Sequence, residues 1–429
     1  MNLSYCFSLN SRVKAMDKSY RNLINTIKDN QNIMVEQLHT FCEINSGTDN
    51  LPGLAQMAKT LQAVYTPIAD SIELKKPAPL SAINMKGDHV IQHCGDVLWI
   101  RKRPHLKRRI LLSGHMDTVY SVNSPFQKLT YVNENYLNGP GVADMKGGLI
   151  VMLHALMALE QNECANLLGW DVLINADEEI GSPTSCILFD EIASDYQAAL
   201  VYEPAMTPTG TLAKNRKGSG KLTVIATGKA AHAGRAFAEG RNAICYLAEA
   251  VCAIYALNGQ RDGVTINVGK IAGGEALNVV PDKAVAKLDI RISLPEDEHW
   301  VRHELDKISN KLKRPDYSLS IQGAFGRPVK RVCSGTERLF QRIQQVGKEL
   351  GLSLDWKDSG GCCDGNNLAR HGLPVLDTLG VRGGNIHSHE EYILLDSLPE
   401  RTALSALLLL DLAQGGLEDL KNDAISQRA

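Results

Sequence analysis

The sequence has no excess of charge, because 46 lysines and arginines are balanced by 48 aspartates and glutamates. A nucleic-acid-binding protein usually has a basic face, and a disordered chain usually has high net charge and few apolar residues. This chain has a formal net charge of -2 and is 44% hydrophobic. We therefore predict a folded protein without a nucleic-acid partner.

Cysteine motifs and long apolar runs are also missing. The 10 cysteines include no Cys-x-x-Cys pair, the spacing of many thiolate zinc sites, so we predict free thiols and a cytoplasmic location. The apolar run Leu149–Leu159 is interrupted by His154 and falls short of the roughly 20 residues that a membrane span needs. The first residues do not resemble a secretory signal. We expect Met16 to be the true start and residues 1–15 an upstream extension.

Most of the chain shows one repeating pattern of strands and helices. At 429 residues it is long enough for about two to three domains. Short apolar strands alternate with helical stretches in the first and last parts, which predicts an α/β domain with a mostly parallel sheet flanked by helices. Ligands bind such sheets at the carboxyl ends of the strands. The predicted strands are Arg109–Leu112, Val172–Ile174, Ala199–Tyr202 and Pro374–Leu379, with a helix at Gly147–Glu160.

The middle of the chain has the order strand-helix-strand-strand-helix-strand, which is that of a ferredoxin-like unit. We therefore predict a catalytic domain formed by residues 17–214 and 328–420, interrupted by an inserted domain at residues 215–327. The predicted elements of the insert are Lys221–Thr227, Asn242–Leu257, Val264–Ile271, Ala284–Ile292, Glu296–Lys313 and Ser318–Gln322.

Five segments carry histidines or carboxylates at the ends of predicted strands or in loops. Each has an ordinary explanation by itself: a helix cap for Asp144, a solvated turn for the acidic run, or a hydrogen-bonded pair for His115 and Asp117. Together they form a donor set that suits Zn²⁺, with Mn²⁺ or Co²⁺ as substitutes. More carboxylates than one tetrahedral ion needs indicate two metals. The segments are Ser113–Thr118, Gly139–Gly148, Asp177–Ser182, Glu203–Pro204 and His387–Tyr392.

These segments, in this order over residues 90–400, resemble the zinc peptidase family of acetylornithine deacetylase, succinyl-diaminopimelate desuccinylase and glutamate carboxypeptidase. Two further segments favour the glutamate carboxypeptidase branch: Ser359-Gly360-Gly361 followed by Asp364-Gly365-Asn366, and Gly228–Gly234 with the sequence GKAAHAG. The resemblance implies a metal-dependent hydrolase whose inserted domain acts as a lid and as the contact between the subunits of a homodimer.

The resemblance also implies a role for each motif residue. Glu178 is expected to be the general base, and Asp117 is expected to orient His115. His232 is expected to stabilise the oxyanion, reaching the active site of the partner subunit. The expected ligands of two zinc ions are His115 and Glu203 for one, Glu179 and His387 for the other, and Asp144 as the bridge between them.

Substrate contacts follow from the same resemblance. Asn278 and Arg291 match positions that bind the substrate carboxylate, and Arg327 is a further candidate. Arginine suits this role because it binds a carboxylate through two parallel hydrogen bonds and keeps its charge. Gly360 and Gly361 are expected to let backbone approach the substrate.

The chain departs from the family pattern at three places. Adjacent cysteines, Cys362 and Cys363, stand where small residues are usual, and we expect free thiols near the substrate that oxidants or heavy metals could attack. The lysine that helps to hold a glutamate side chain is missing, and Lys214, Arg216 and Lys217 are shifted from its position, which puts strict glutamate specificity in doubt. His389 is an alternative to His387 as the metal ligand.

The sequence therefore predicts a two-zinc hydrolase that uses a metal-bridging hydroxide and Glu178 to cleave an amide bond next to a C-terminal carboxylate, with glutamate as one candidate residue. Its expected substrates are small peptides or N-acyl amino acids. Two alternatives remain: an N-acyl amino acid deacylase of the acetylornithine type, and a non-catalytic metal-binding protein.

Overall fold

The computed structural model describes residues 18–420, and the predictions about the start of the chain lie outside the described residues. The helices in this part of the chain are α1 (Lys18–Asp29), α2 (Gln31–Glu43), α3 (Leu51–Tyr65), α4 (Gly148–Glu160), α5 (Ser185–Ile192), α6 (Ala243–Tyr255), α7 (Asp297–Leu312), α8 (Ser334–Glu349), α9 (Asp364–Ala369) and α10 (Ser397–Asp411).

The strands of the described residues form one six-stranded sheet, two four-stranded sheets and three two-stranded sheets. They are β1 (Ser71–Lys75), β2 (Leu80–Ile83), β3 (His89–Gln92), β4 (Val97–Lys102), β5 (Arg109–His115), β6 (Thr130–Asn133), β7 (Tyr136–Asn138), β8 (Gly169–Asn175), β9 (Ala198–Val201), β10 (Leu212–Arg216), β11 (Gly218–Thr227), β12 (Ala231–His232), β13 (Thr265–Gly273), β14 (Val279–Val280), β15 (Lys283–Ile292), β16 (Ser318–Arg327), β17 (Trp356–Ser359), β18 (Val375–Leu376), β19 (Gly383–Gly384) and β20 (Tyr392–Leu394).

The large sheet has the strand order β1-β4-β8-β5-β9-β18. The pairs β8–β5, β5–β9 and β9–β18 are parallel, and the two pairs at the β1 edge are antiparallel. Successive residues of a strand face opposite sides of a sheet. Ile110 and Leu112 accordingly pack into one hydrophobic cluster and Leu111 into another. Helices cover both faces, as predicted for this fold class.

Helix α4, which follows the Gly139–Gly148 motif, is apolar on every side, and its residues are almost all buried. Among the described residues, Val142–Glu160 is the one helical segment whose length and composition would allow a membrane span, and 94% of its apolar 18-residue stretch is buried inside the protein. A helix that is hydrophobic all round is expected in the core of a large protein. In this chain α4 packs against α10, within the larger hydrophobic cluster.

The middle of the chain forms a separate antiparallel sheet with the order β13-β15-β11-β16. Helices α6 and α7 pack against it, and its buried residues form a hydrophobic cluster of their own. The elements follow one another in the predicted order, with the short strands β12 and β14 in addition. The domain boundaries and the role of this unit as a lid stay predictions.

Candidate metal centre and active site

Three adjacent parallel strands carry acids or a histidine at the same edge of the large sheet. Strand β5 ends at His115, β8 is followed by Glu178 and Glu179, and β9 is followed by Glu203. Because β8, β5 and β9 are neighbours and parallel, their carboxyl ends lie together. Asp144 reaches the same place from the turn that precedes α4.

Asp144 lies between two histidine–glutamate pairs. Its Oδ1 is 3.1 Å from His115 Nε2, which in turn is 3.8 Å from Glu203 Oε1. Its Oδ2 is 3.2 Å from His387 Nε2, which is also 3.2 Å from Glu179 Oε2. The structure therefore brings together all five residues expected to hold metal, with one oxygen of Asp144 facing each pair.

The cluster has the properties of a divalent-cation site. Ligand atoms of His115, Asp144 and Glu179 lie within 4.8 Å of one another, and Glu179 Oε1 is buried without a hydrogen-bond partner. Burial, with help from Asp144, raises the pKa of Glu179 to about 8, and burial raises the pKa of Glu203 well above its usual value. Several buried carboxylates at one point require compensating positive charge. Imidazole and carboxylate donors fit Zn²⁺ and related ions.

His387 rather than His389 faces the cluster. His389 is exposed and stacks on Phe126, with ring centroids 5.4 Å apart. His387 adopts a φ of +63°, a backbone conformation that is uncommon outside glycine and costs free energy. This conformation accompanies the approach of its Nε2 to Asp144 and Glu179.

Asp117 contacts both His115 and the acidic loop. His115 Nδ1 is 2.9 Å from the carbonyl oxygen of Asp117 and 3.4 Å from its Oδ1, so the backbone is the nearer partner. The Asp117 carboxylate accepts hydrogen bonds from the amides of Glu178 and Glu179, both at 3.2 Å, and from the Thr48 hydroxyl at 2.8 Å. A partner on Nδ1 leaves Nε2 free to bind a metal.

The three adjacent acids after β8 point in different directions. Asp177 accepts hydrogen bonds from the backbone and hydroxyl groups of Thr184 and Ser185, at the start of α5. Glu179 faces the metal cluster, and Glu178 faces the inserted unit. The ordinary explanation of this run, a solvated turn, is therefore wrong for Asp177, which is buried and has a structural role.

Arg327, expected to bind substrate, lines the cavity beside the cluster and also contacts the expected general base. Its Nη2 donates to Glu178 Oε1 at 2.6 Å and to Ser182 Oγ at 3.0 Å, and its Nη1 donates to Asp364 at 2.8 Å. The side chain is almost fully buried. These contacts hold Arg327 against Glu178, and its contact with substrate stays a prediction.

A cavity of about 760 Å³ opens beside the cluster and is lined by residues of both units. Arg291, Gly360, Gly361 and Cys362 all line it. The guanidinium of Arg291 is paired with Asp289, and its Nη1 lies 3.1 Å from the Cys362 sulfur. Arg291 thus lies beside the space that a substrate would occupy. Part of its guanidinium is already paired with the carboxylate of Asp289.

His232 and Asn278 lie together, away from this cavity. The amide of Ala233 donates to the Asn278 carbonyl at 2.9 Å, and both side chains are exposed. Within the described chain neither residue lines the cavity. His232 Nδ1 accepts hydrogen bonds from the amides of Gly234 and Arg235, so neutral His232 carries its proton on Nε2 as a donor.

Glu391, to which the motif pattern assigns no role, supports the turn that carries Asp144. Its carboxylate accepts hydrogen bonds from the amides of Gly141, Ala143 and Asp144 at 2.9 to 3.2 Å, and from the Tyr120 hydroxyl at 2.7 Å. Its place in the His387–Tyr392 segment is the one sequence signal that links Glu391 to the site. Its hydrogen bonds to the backbone amides cannot be predicted from that place, because they depend on the folded turn.

We expect Glu391→Ala to weaken metal binding, because the turn that presents Asp144 would lose the acceptor for three amides. Residues that orient metal ligands in this way typically contribute 10- to 100-fold to affinity. A competition titration against a chelator measures the change. The adjacent exposed residue provides the control, Glu390→Ala, and equal affinities for the two variants would contradict the expectation.

The geometry and the relatives together define the class of this protein: it is a metal-dependent hydrolase that acts on amide bonds. The chain belongs to Peptidase family M20/M25/M40, whose family model matches residues 111–411. Carboxypeptidase G2 of Pseudomonas sp. (strain RS-16) is 29% identical over 399 residues, 92% of each chain. Succinyl-diaminopimelate desuccinylase of Psychrobacter sp. (strain PRwf-1) is 27% identical over 356 residues, 74% of this chain and 82% of the relative.

Solved structures share the fold at lower identity. The dipeptidase Dug1p of Saccharomyces cerevisiae has a TM-score of 0.73 at 14% identity, covering 93% of this chain and 99% of that one. The Bacillus subtilis YXEP protein, described as a dinuclear metal binding peptidase of the M20 family, has a TM-score of 0.58 at 13% identity, with 92% and 99% coverage. Both solved structures therefore share the fold of this chain over more than nine-tenths of its length.

Proposed function

We propose that this chain is a two-zinc hydrolase that releases a C-terminal amino acid from a small peptide or an N-acyl amino acid. The observation that carries the proposal is the position of Asp144, with one carboxylate oxygen toward His115 and Glu203 and the other toward His387 and Glu179. A carboxylate shared in this way is the usual bridge of a two-metal hydrolase.

Each residue of the cluster has a part in this proposal. His115 and Glu203 would hold one zinc ion, Glu179 and His387 the other, and Asp144 both. When bound, the ions would supply Lewis acidity, which lowers the pKa of a water molecule and polarises the substrate carbonyl.

Glu178 would move the proton. Arg327 donates to Glu178 Oε1 at 2.6 Å, which fixes the carboxylate at the edge of the cavity and leaves Oε2 to accept a proton from water. The same oxygen can then pass the proton to the leaving amine, as general acid–base catalysis requires.

The cavity favours a substrate with a free carboxylate. Besides the acids of the metal cluster, it is lined by the cations Arg216, Lys221, Arg291 and Arg327.

A panel of N-acyl amino acids and dipeptides tests the proposal, with the C-terminal residue varied and a C-terminal amide as the control. Hydrolysis of the free acids but not of the matched amides is expected, and equal rates would exclude carboxylate recognition.

A deacylase of the desuccinylase or acetylornithine type is the second candidate. Two observations favour this candidate. The chain lacks the family's lysine that helps to hold a glutamate side chain, since Lys214 is shifted from that position. The chain is also similar to a desuccinylase over 74% of its length. The same panel separates the two functions, because a deacylase prefers an N-acetyl or N-succinyl group over a peptide at the scissile bond.

A homodimer formed through the inserted unit would explain the position of His232. Exposed apolar side chains surround it and Asn278: Phe237 is 66% exposed, Leu277 is fully exposed and Val279 is 42% exposed. Exposed apolar residues that form a patch often mark a protein interface. In the proposed dimer, the Nε2 proton of His232 would stabilise the oxyanion in the partner's site.

Mixing two inactive variants tests this arrangement. Removal of one oxyanion donor typically lowers kcat by roughly 10²- to 10³-fold, so His232→Ala and Glu178→Ala should each be nearly inactive. After subunit exchange at equal amounts, half of the dimers would be mixed and each would have one complete site, so about a quarter of wild-type activity should return. No recovery from variants that do form mixed dimers would show that His232 acts within its own chain, or not at all.

The cytoplasmic location also stays a proposal. It is supported by the nine cysteines of the described chain, which are all free thiols. Disulfides are rare in reducing compartments.

A further inference from the structure

A β-hairpin that precedes the first metal-binding motif reaches across to the inserted unit. Strands β2 and β3 pair with each other and, among the described residues, with no other strand. Every residue of β3 is exposed, whereas Asn84, Met85 and Gly87 in the turn between the strands are half-buried. The tip of the hairpin, and not its strands, therefore lies against another part of the chain.

The turn at this tip is fixed by its own hydrogen bonds. The side-chain oxygen of Asn84 accepts from the amides of Lys86 and Asp88, at 2.8 and 3.0 Å. The carbonyl oxygen of Asn84 accepts from the amide of Gly87 at 3.1 Å. Gly87 has a φ of +78°, a left-handed conformation that glycine adopts without steric cost. The hairpin thus presents a tip of defined shape.

Two lysines of β15 in the inserted unit contact the tip. Lys283 Nζ donates to Asp88 Oδ1 at 2.9 Å, and Lys287 Nζ donates to the carbonyl oxygen of Ile83 at 2.6 Å. The side chains of Lys283 and Asp88 are both exposed, and exposed ion pairs contribute little to stability. These polar contacts therefore decide where the tip lies more than how firmly it is held.

The apolar part of the contact involves two buried side chains. Ile225 and Val285 are paired neighbours on β11 and β15 and are 8% and 1% exposed, yet they lie outside the hydrophobic cluster that the sheet forms with α6 and α7. A Cβ added to Gly87 would lie 3.1 Å from Val285 Cγ2 and 3.4 Å from Ile225 Cγ2. The tip therefore packs on the face of the sheet that the two helices leave free.

The same face of the sheet continues to the cavity beside the metal cluster. Residues an even number apart on a strand share a face. Val285 therefore shares a face of β15 with Arg291, and Ile225 shares a face of β11 with Lys221. Arg291 and Lys221 both line the cavity, and Lys221 Nζ donates to the carbonyl oxygen of Ile180, in the acidic loop, at 2.9 Å. The hairpin tip and the acidic loop thus contact this face at different ends.

We infer that the hairpin tip, through Gly87 and Asp88, is a positioning element that fixes Arg291 and Lys221 relative to the metal cluster. This rests on the proposed function, in which cations of the cavity bind the carboxylate of the substrate. Because the two contacts lie at different ends of one face, together they fix the tilt of the inserted sheet. The cations are then in place before substrate arrives, which lowers the ordering cost of binding.

Two variants remove this contact. Gly87→Val adds a branched side chain where the tip meets β15. Its control is Gly351→Val, because Gly351 has a φ of +77° and a Cβ there meets nothing within 4 Å, so only the backbone cost is shared. The second variant replaces residues 80–92 by Gly-Ser-Gly. This linker can join the ends of the chain, because Leu80 and Gln92 are paired.

Both variants should raise KM for an N-acyl amino acid by roughly 10- to 100-fold, the usual weight of a hydrogen bond to a charged group. The value of kcat should change far less, which is the mark of lost substrate binding. Bound metal should stay the same, because the residues of the cluster lie in other segments. Gly351→Val should keep the wild-type KM.

A wild-type KM in the variant without the hairpin overturns the inference and leaves the proposed function intact. A fall in kcat or in bound metal at unchanged KM also overturns it, since the hairpin would then act on the metal cluster. Small-angle X-ray scattering gives a readout without hydrolysis. The radius of gyration should rise in Gly87→Val but not in Gly351→Val, and equal radii overturn the inference. If the wild type cleaves no N-acyl amino acid, the proposed function fails and the scattering alone decides.

Discussion

Replacing Glu178 with alanine is expected to lower kcat by roughly 10²- to 10⁴-fold, the usual contribution of a general acid–base residue. Glu178 contacts Arg327 and not the metal cluster, whereas the neighbouring Glu179 lies 3.2 Å from His387. The variant should therefore bind as much metal as the wild type. Hydrolysis rates and metal analysis of the same preparation measure both effects.

Glu191→Ala is the control for this variant, because Glu191 is an exposed glutamate on α5, close in sequence to the acidic run. It should be as active as the wild type. Near-full activity of Glu178→Ala would show that another group moves the proton. Loss of metal together with activity would show that Glu178 is a ligand and would require a different assignment of the acidic loop.

Removal of the metal is expected to destabilise the whole protein. Without it, the buried carboxylates of Asp144, Glu179 and Glu203 lie together beside two histidines, His115 and His387. A ligand that binds only the folded state at 1,000 times its Kd stabilises by about 4 kcal/mol per site. Thermal melts with zinc and with a chelator should differ by several degrees. Asp144→Ala should melt at the same temperature in both.

The effect of chelation should depend on pH. In the metal-free protein burial raises the pKa of Glu179 to about 8, so the folded state holds a proton that the unfolded state releases near pH 4.5. A raised pKa of this kind gives stability that is complete below the unfolded value and is lost as the pH rises through the folded one. The melting temperature of the metal-free protein should fall between pH 5 and 8.5, and that of the zinc-loaded protein should change less. A larger fall in the melting temperature of the zinc-loaded protein than in that of the metal-free protein would show that Glu179 is ionised without metal.

The sequence predicts that the histidines and acids of the motifs lie together, because the order of the parallel strands decides it. The motifs follow β5, β8 and β9, and parallel neighbours necessarily end at the same edge of a sheet. His387 reaches the cluster from a loop far along the chain. Its contact with Asp144 and Glu179 is predicted by its place in the motif and by the family resemblance. The spacing of apolar residues does not predict this contact.

Contacts between the two units are beyond such prediction. Arg327 is the last residue of β16, and nothing local indicates that its partners are Glu178 and Asp364. The orientation of Arg216 depends on Asp377, which is distant in sequence and held by a third residue, Lys330. Charges that pair across long sequence separations carry no periodic signal, so their roles become visible only in the folded chain.

The proposed two-zinc mechanism is tested most directly by titrating zinc into metal-free protein while hydrolysis of an N-acyl amino acid and bound metal are both measured. We expect no activity without metal and maximal activity at two zinc ions per chain. Full activity in the metal-free protein, or a maximum at one bound ion, would contradict the account.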